Sequence, residues 1–331
     1  MTPLSIVAVA LALVVSQGTP QPASKPKKPG LADASLKIAI EKLTPDAVFE
    51  IPGLPDWIAI EEHVWISNAP KDNVVRLDPQ TNRVVATIAV GKKPGSGLAV
   101  GFGSVWVPNC GDATMSRIDV STGTVTATFP MTFADSEGGI ATGAGSVWLM
   151  KDTNGTLARL DPATNTVTHE IAVAPGSCAV AFGADSVFVT STRENVLTRV
   201  DPHTNSVVAK IPVGPGPRFL AIGEGSVWTF NQKDGSVSRV DLAQNEVVAT
   251  IEIGCPGGGG EIAVGEGSVW VTSNEYPITR IDPKTNRAVQ QFVGPGGDAI
   301  RVGLGSVWLS NLRAQNVWRL DPRRIEAARG E

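Results

Sequence analysis

A unit of about 40 residues recurs along this chain, and such a period is the mark of a repeat architecture. Each copy reads Gly-x-Gly-Ser-Val-Trp, a spacer, Arg-Leu-Asp-Pro-x-Thr-Asn, then Val-Val-Ala-Thr-Ile-x-Val-Gly, with substitutions. The aromatic of the first motif falls at Trp65, Trp106, Trp148, Phe188, Trp228, Trp270 and Trp308. The acid of the second falls at Asp78, Asp119, Asp161, Asp201, Asp241, Asp282 and Asp321. A unit of this length fits one four-stranded propeller blade. In the second copy the period-two alternation and turn residues predict strands over Gly97–Val100, Ser104–Pro108, Thr114–Asp119 and Val125–Phe129. Gly101-Phe102-Gly103 reads as a tight turn whose glycines permit positive φ.

The ends complete the argument. The last copy stops after Asp321-Pro322 without its fourth strand, while Ala47–Gly53 looks like a fourth strand with no copy of its own. Pairing the two would close the ring and hide the open edges. The expected fold is therefore all-β: a seven-bladed β-propeller of four-stranded antiparallel blades over 46–322, closed by an N-terminal strand in the last blade. Residues 323–331 would be a C-terminal tail, against which Trp318 is expected to pack.

Ahead of the ring, residues 4–15 form an apolar run too short to span a membrane, which takes ~20 residues. With Ser16-Gln17-Gly18 behind it as a small-residue cleavage site, the run fits a signal peptide over 1–18. No Lys or Arg precedes it, which departs from that pattern. Export to the periplasm or the extracellular space is the expectation, with no membrane span in the mature chain. Residues 19–45 read as a Pro/Lys-rich linker, with a helical turn or two over 33–44. The net charge of −4, with positive charge gathered in that linker, argues against a nucleic-acid partner. A small ligand or an envelope protein is the expected partner, and a monomer the expected state.

The units resemble the YVTN-type β-propeller repeat family, most closely in Gly-Ser-Val-Trp-Val-Thr-Ser-Asn (267–274) and Ser-Arg-Ile-Asp-Val-Ser-Thr-Gly (116–123). The same repeat style occurs in virginiamycin B lyase-like (streptogramin lyase) propellers, and the resemblance spans about residues 47–322. It implies architecture first, because the matching residues are structural. The seven arginines two places before each Asp (Arg76, Arg117, Arg159, Arg199, Arg239, Arg280 and Arg319) are read as a blade-interface device. They would pair with a turn Asp or backbone carbonyls.

Function is expected where the copies differ, in the loops around the channel mouth. Aligned on the repeat aromatic, these loops present Asp56, Glu137, Glu261 and Asp298 around Arg218, and the second-to-third-strand loops add Asn109. Four convergent carboxylates would suit Ca²⁺ or Mg²⁺, or acid–base work. The competing reading is a solvated polar rim with Arg218 paired to one acid. The lyase resemblance implies a His and Glu cluster with Mg²⁺ at this mouth, but His63, His169 and His203 all map away from it. The reading is thus a ligand- or protein-binding scaffold, the alternative a divalent-metal-dependent lyase or hydrolase. Cys255 is expected as an exposed thiol in the Gly254-Cys255-Pro256 loop.

Overall fold

The computed structural model describes residues 29–95, 97–134 and 137–328; the expected signal peptide lies outside them. Seven sheets form the blades, six of them built from strands a to d in chain order. The second blade shows the rule, with strand a at Ala99–Gly101, b at Ser104–Asn109, c at Thr114–Asp119 and d at Val125–Pro130. The ring closes as expected. Ala47–Glu50 pairs antiparallel with strand c of the last blade, Asn316–Leu320, in the place of its missing strand d. Phe49 is buried there, 5.9 Å from the ring of Trp308.

The repeat residues explain the blade. Trp65, Trp106, Trp148, Phe188, Trp228, Trp270 and Trp308 are fully buried. Trp106 Nε1 donates to the Gly101 carbonyl, and the Trp148, Trp228, Trp270 and Trp308 indoles do the same five residues back in their own blades. The a–b turn differs from the sequence reading in one respect. Positive φ falls on Phe102 and Gly103, the two central residues that a type I′ turn needs. The first glycine of the motif has another task, close packing between blades. A Cβ on Gly143 would come within 2.0 Å of the Phe182 ring of the next blade.

The arginines couple the blades. Arg159 lies over Trp148, 5.1 Å from Cζ to the ring centroid. Its Nε donates to Ser146 Oγ, and its Nη1 to the Pro202 carbonyl and Asn205 Oδ1 of the next blade. Arg117, Arg199, Arg239 and Arg319 repeat the set. Arg319 reaches Pro79 and Asn82 of the first blade, so the same contact seals the ring. The interblade partners are carbonyls, as expected, but with Asn in place of Asp. The motif Asp is spent on its own turn, where Asp78 accepts from the Gln80 amide and the Thr81 hydroxyl.

Residues 31–43, expected as linker, lie on the body. Lys37–Ala39 adds a fifth, parallel strand beside strand d of the sixth blade, Arg287–Val293. Leu31, Ile38, Ile40 and Leu43 are buried. Short 3-10 turns flank that strand at Ala34–Leu36 and Ile40–Lys42. Trp318 packs in one cluster with Ile325 and Ala328 of the C-terminal segment, as predicted. Among the described residues no helix is long and apolar enough to cross a membrane.

Candidate functional site

Strand a of every blade walls the central channel, and one comparison across the blades stands out. The residue paired with the repeat aromatic is Ala59, Ala99, Ala141, Ala181, Ala221 and Ala263 in six blades, and Arg301 in the seventh. Small residues keep the bore open, so an arginine here brings charge into it. The pairing also corrects the register of the first blade. Ile60 pairs with Val64 across the three-residue turn Glu61-Glu62-His63, one residue longer than the two-residue turns elsewhere. Aligning on the aromatic therefore misplaces this blade by one. Asp56 shares a level with Gly138, Cys178, Arg218, Gly260 and Asp298, and Trp57 shares the next with Gly139, Ala179, Phe219, Glu261 and Ala299.

Two aromatics meet across the mouth. Trp57 and Phe219 lie with ring centroids 6.3 Å apart, tilted by 41°. The Arg301 guanidinium covers Trp57 at 4.1 Å, and Arg218 covers Phe219 at 5.5 Å. The third blade leaves room for this pair with Gly138, where a Cβ would come 2.8 Å from the Trp57 indole. The channel encloses about 350 Å³, with Trp57, Phe219, Glu261 and Arg301 in its wall.

The four predicted carboxyl groups are brought to this end of the channel, each with a partner. Asp56 and Asp298 are hydrogen-bonded to each other across the seam of the first and last blades. Burial raises Asp56 well above the usual carboxylate range, and the Asp298, Glu137 and Glu261 charges add to the shift. Burial also raises Asp298, against the hydrogen bonds from Asp56 and from the Gly260 and Ala299 amides. A carboxyl pair of this kind holds one proton between two sites. Glu261 is 3% exposed and forms an ion pair with Arg301 Nη1. Burial pushes Glu261 up to about 8; the Arg301 guanidinium opposes the shift, and Asp298 and Glu137 add to it. Glu137 Oε2 stands 3.6 Å from Arg218 Nη2, the pairing anticipated for a polar rim.

Other predicted positions are structural. Asn109 is fully buried, and its Nδ2 donates to Thr114 and Ser116 Oγ within its own blade. It clips the loop rather than facing the channel. Cys255 is 1% exposed, its thiol donating to the Ile253 carbonyl, so the exposed thiol expected there is a core residue. Burial raises the Cys178 thiol. His63 meets Arg76 Nη2 at its ring nitrogens, His169 lies exposed on a strand d, and His203 in a c–d turn meets Asp185. Arg301 and Trp57 were missed from sequence. Their signal was the break in the column of alanines and the one-residue shift of the first blade.

A Mg²⁺ or Ca²⁺ site does not fit these residues well. The carboxylates are engaged by one another and by two arginines. Among the described residues no three His, Cys, Asp or Glu groups gather as metal ligands.

No protein-family profile and no curated protein matches the chain in sequence. Solved structures do match it in fold. A streptogramin B lyase superposes with a TM-score of 0.71 at 20% identity, covering 83% of this chain and 96% of that one. The virginiamycin B lyase from Staphylococcus aureus superposes at 0.70 and 15% identity, covering 83% and 98%. A catalytically inactive histidine-to-alanine variant of that enzyme, with quinupristin, gives the same values. The chain is thus a seven-bladed propeller similar in architecture to the streptogramin lyases.

Proposed function

We propose that the chain is an exported ligand-binding propeller that holds a small molecule at its channel mouth. One observation carries the reading: the single arginine in a wall of alanines, stacked on Trp57 within a cavity of about 350 Å³. Ligand sites combine a concave, mainly apolar wall with a few placed polar groups, and cavities of ~300 Å³ upward suffice. Asp56, Glu137, Arg218, Glu261 and Asp298 supply the polar groups above that wall. Export rests on the apolar run 4–15 and the small residues behind it, and N-terminal sequencing of the secreted protein checks it.

A fragment screen read by thermal shift tests the ligand site. Hits should raise the melting temperature of the wild type, and Trp57→Ala should abolish the shift. Hits that stabilise both proteins equally would place the ligand elsewhere and end this reading.

The alternative is a lyase or hydrolase, and the Asp56–Asp298 pair favours it, because a shared proton suits general acid–base work. The fold similarity adds little to this. The S. aureus enzyme is inactive with a histidine replaced by alanine, whereas the three histidines here stand away from the mouth. A metal-dependent version, with Asp56, Glu137, Glu261 and Asp298 around Mg²⁺ or Ca²⁺, would first require these acids to leave their present partners. Metal analysis with melts in EDTA tests it: a stoichiometric ion and a lowered melting temperature would revive that version.

A further inference from the structure

Arg301 offers more hydrogen-bonding capacity than the protein uses. Its Nη1 donates to Glu261 and to the Ile300 carbonyl, while among the described residues Nε and Nη2 have no acceptor. A guanidinium presents its donors in a planar fork that matches a carboxylate. The fork is held in place by Trp57 beneath it and by strand a of the last blade behind it. At the same level the other blades contribute alanine methyl groups, with Leu98, Ile140, Ile262 and other aliphatic residues in the same wall. We propose, resting on the ligand-site reading above, that the ligand is a small aliphatic carboxylate: its head bonds Arg301 and its hydrocarbon chain lies along the alanine wall.

The carboxyl groups nearby look unfavourable for an anion, but their state reduces the conflict. Those facing Arg301 and its surroundings are Glu261, Asp298, Asp56 and Glu137, with Arg218 as the other cation. Burial raises both Asp56 and Asp298 and so favours a proton on the pair, Glu137 is balanced by Arg218, and burial favours the neutral form of Glu261. A neutral Glu261 leaves Arg301 available to the ligand. Ionised Glu261 competes for it. Binding should therefore weaken as the pH rises through the titration of Glu261.

Isothermal calorimetry on the full-length purified chain with hexanoate, hexanol and hexylamine, between pH 6 and pH 9, tests this. Hexanoate should bind at least tenfold more tightly than either other probe at pH 6, and lose affinity above about pH 8. Glu261→Gln should strengthen binding at pH 9 and flatten the pH dependence. Arg301→Ala should abolish it, and six blades already hold alanine at this position. Should Arg301→Ala unfold, Ala263→Phe fills the wall and leaves every charge in place, and it should also abolish binding. Hexanol or hexylamine binding as well as hexanoate would overturn the carboxylate assignment while leaving a ligand site in place. No binding by any probe, with fragment hits still dependent on Trp57, would overturn it equally. Equal hexanoate binding by wild type and Ala263→Phe would remove the channel as its location.

Discussion

At the residue scale, two departures from the repeat carry the account. The first is His63, which stands where five other blades place the serine that accepts Arg Nε. Arg76 Nε is consequently buried without a partner, and Arg76 Nη2 meets the His63 ring instead. His63→Ser should restore the acceptor and raise stability by about 1 kcal/mol, measured by urea unfolding. Burial, with the Arg76 charge behind it, lowers the His63 pKa in the folded state. The unfolded chain then binds the proton more readily, so wild-type stability should fall as the pH drops below the ordinary histidine range, and less so in His63→Ser. The second departure is the Asp56–Asp298 pair, whose carboxyls are raised on folding. Its sign is opposite: its stabilisation belongs to low pH and is lost as the pH rises through the folded-state titration. Asp56→Asn should therefore melt higher than wild type at neutral pH, with a flatter profile on the alkaline side.

At the scale of the element, the blade is a chain of short devices repeated with small errors. In five blades the arginine clip joins the blade to the next through a carbonyl and an asparagine held at positive φ, such as Asn205 at 54°. Arg159→Ala would remove these bonds and the stacking on Trp148, and should cost about 2 kcal/mol in chemical denaturation. The closing strand Ala47–Glu50 matters more, because it completes a blade and the ring together. Phe49→Ala should cost about 3–5 kcal/mol as a buried aromatic truncation, with amide exchange rising in the first and last blades before the others.

These elements were legible in the sequence because turn glycines, asparagines and alternating valines report local backbone geometry. The site was only half legible. Asp56, Glu137, Arg218, Glu261 and Asp298 do gather at one end of the channel, since a ring of repeats fixes which loops share a face. Their partners were hidden, because the pairing of Glu261 with Arg301 and of Asp56 with Asp298 crosses blade boundaries. Nothing within one repeat encodes that. Trp57 was hidden for a further reason: one extra turn residue in the first blade shifts its whole inner strand.

For the whole molecule, the ring is the support, and among the described residues the copies differ in concert at the channel. Six alanines and one arginine at a single level make the bore asymmetric, and Trp57 and Phe219 narrow it from opposite sides. The most direct measurement is a crystal structure of the protein with a thermal-shift hit, grown in buffer containing Mg²⁺ and Ca²⁺. The expected result is the hit against Trp57 and Arg301 inside the channel, with Asp56 and Asp298 still paired. A hit seated on an outer face, or a metal ion drawing Asp56, Glu137, Glu261 and Asp298 together, would contradict it.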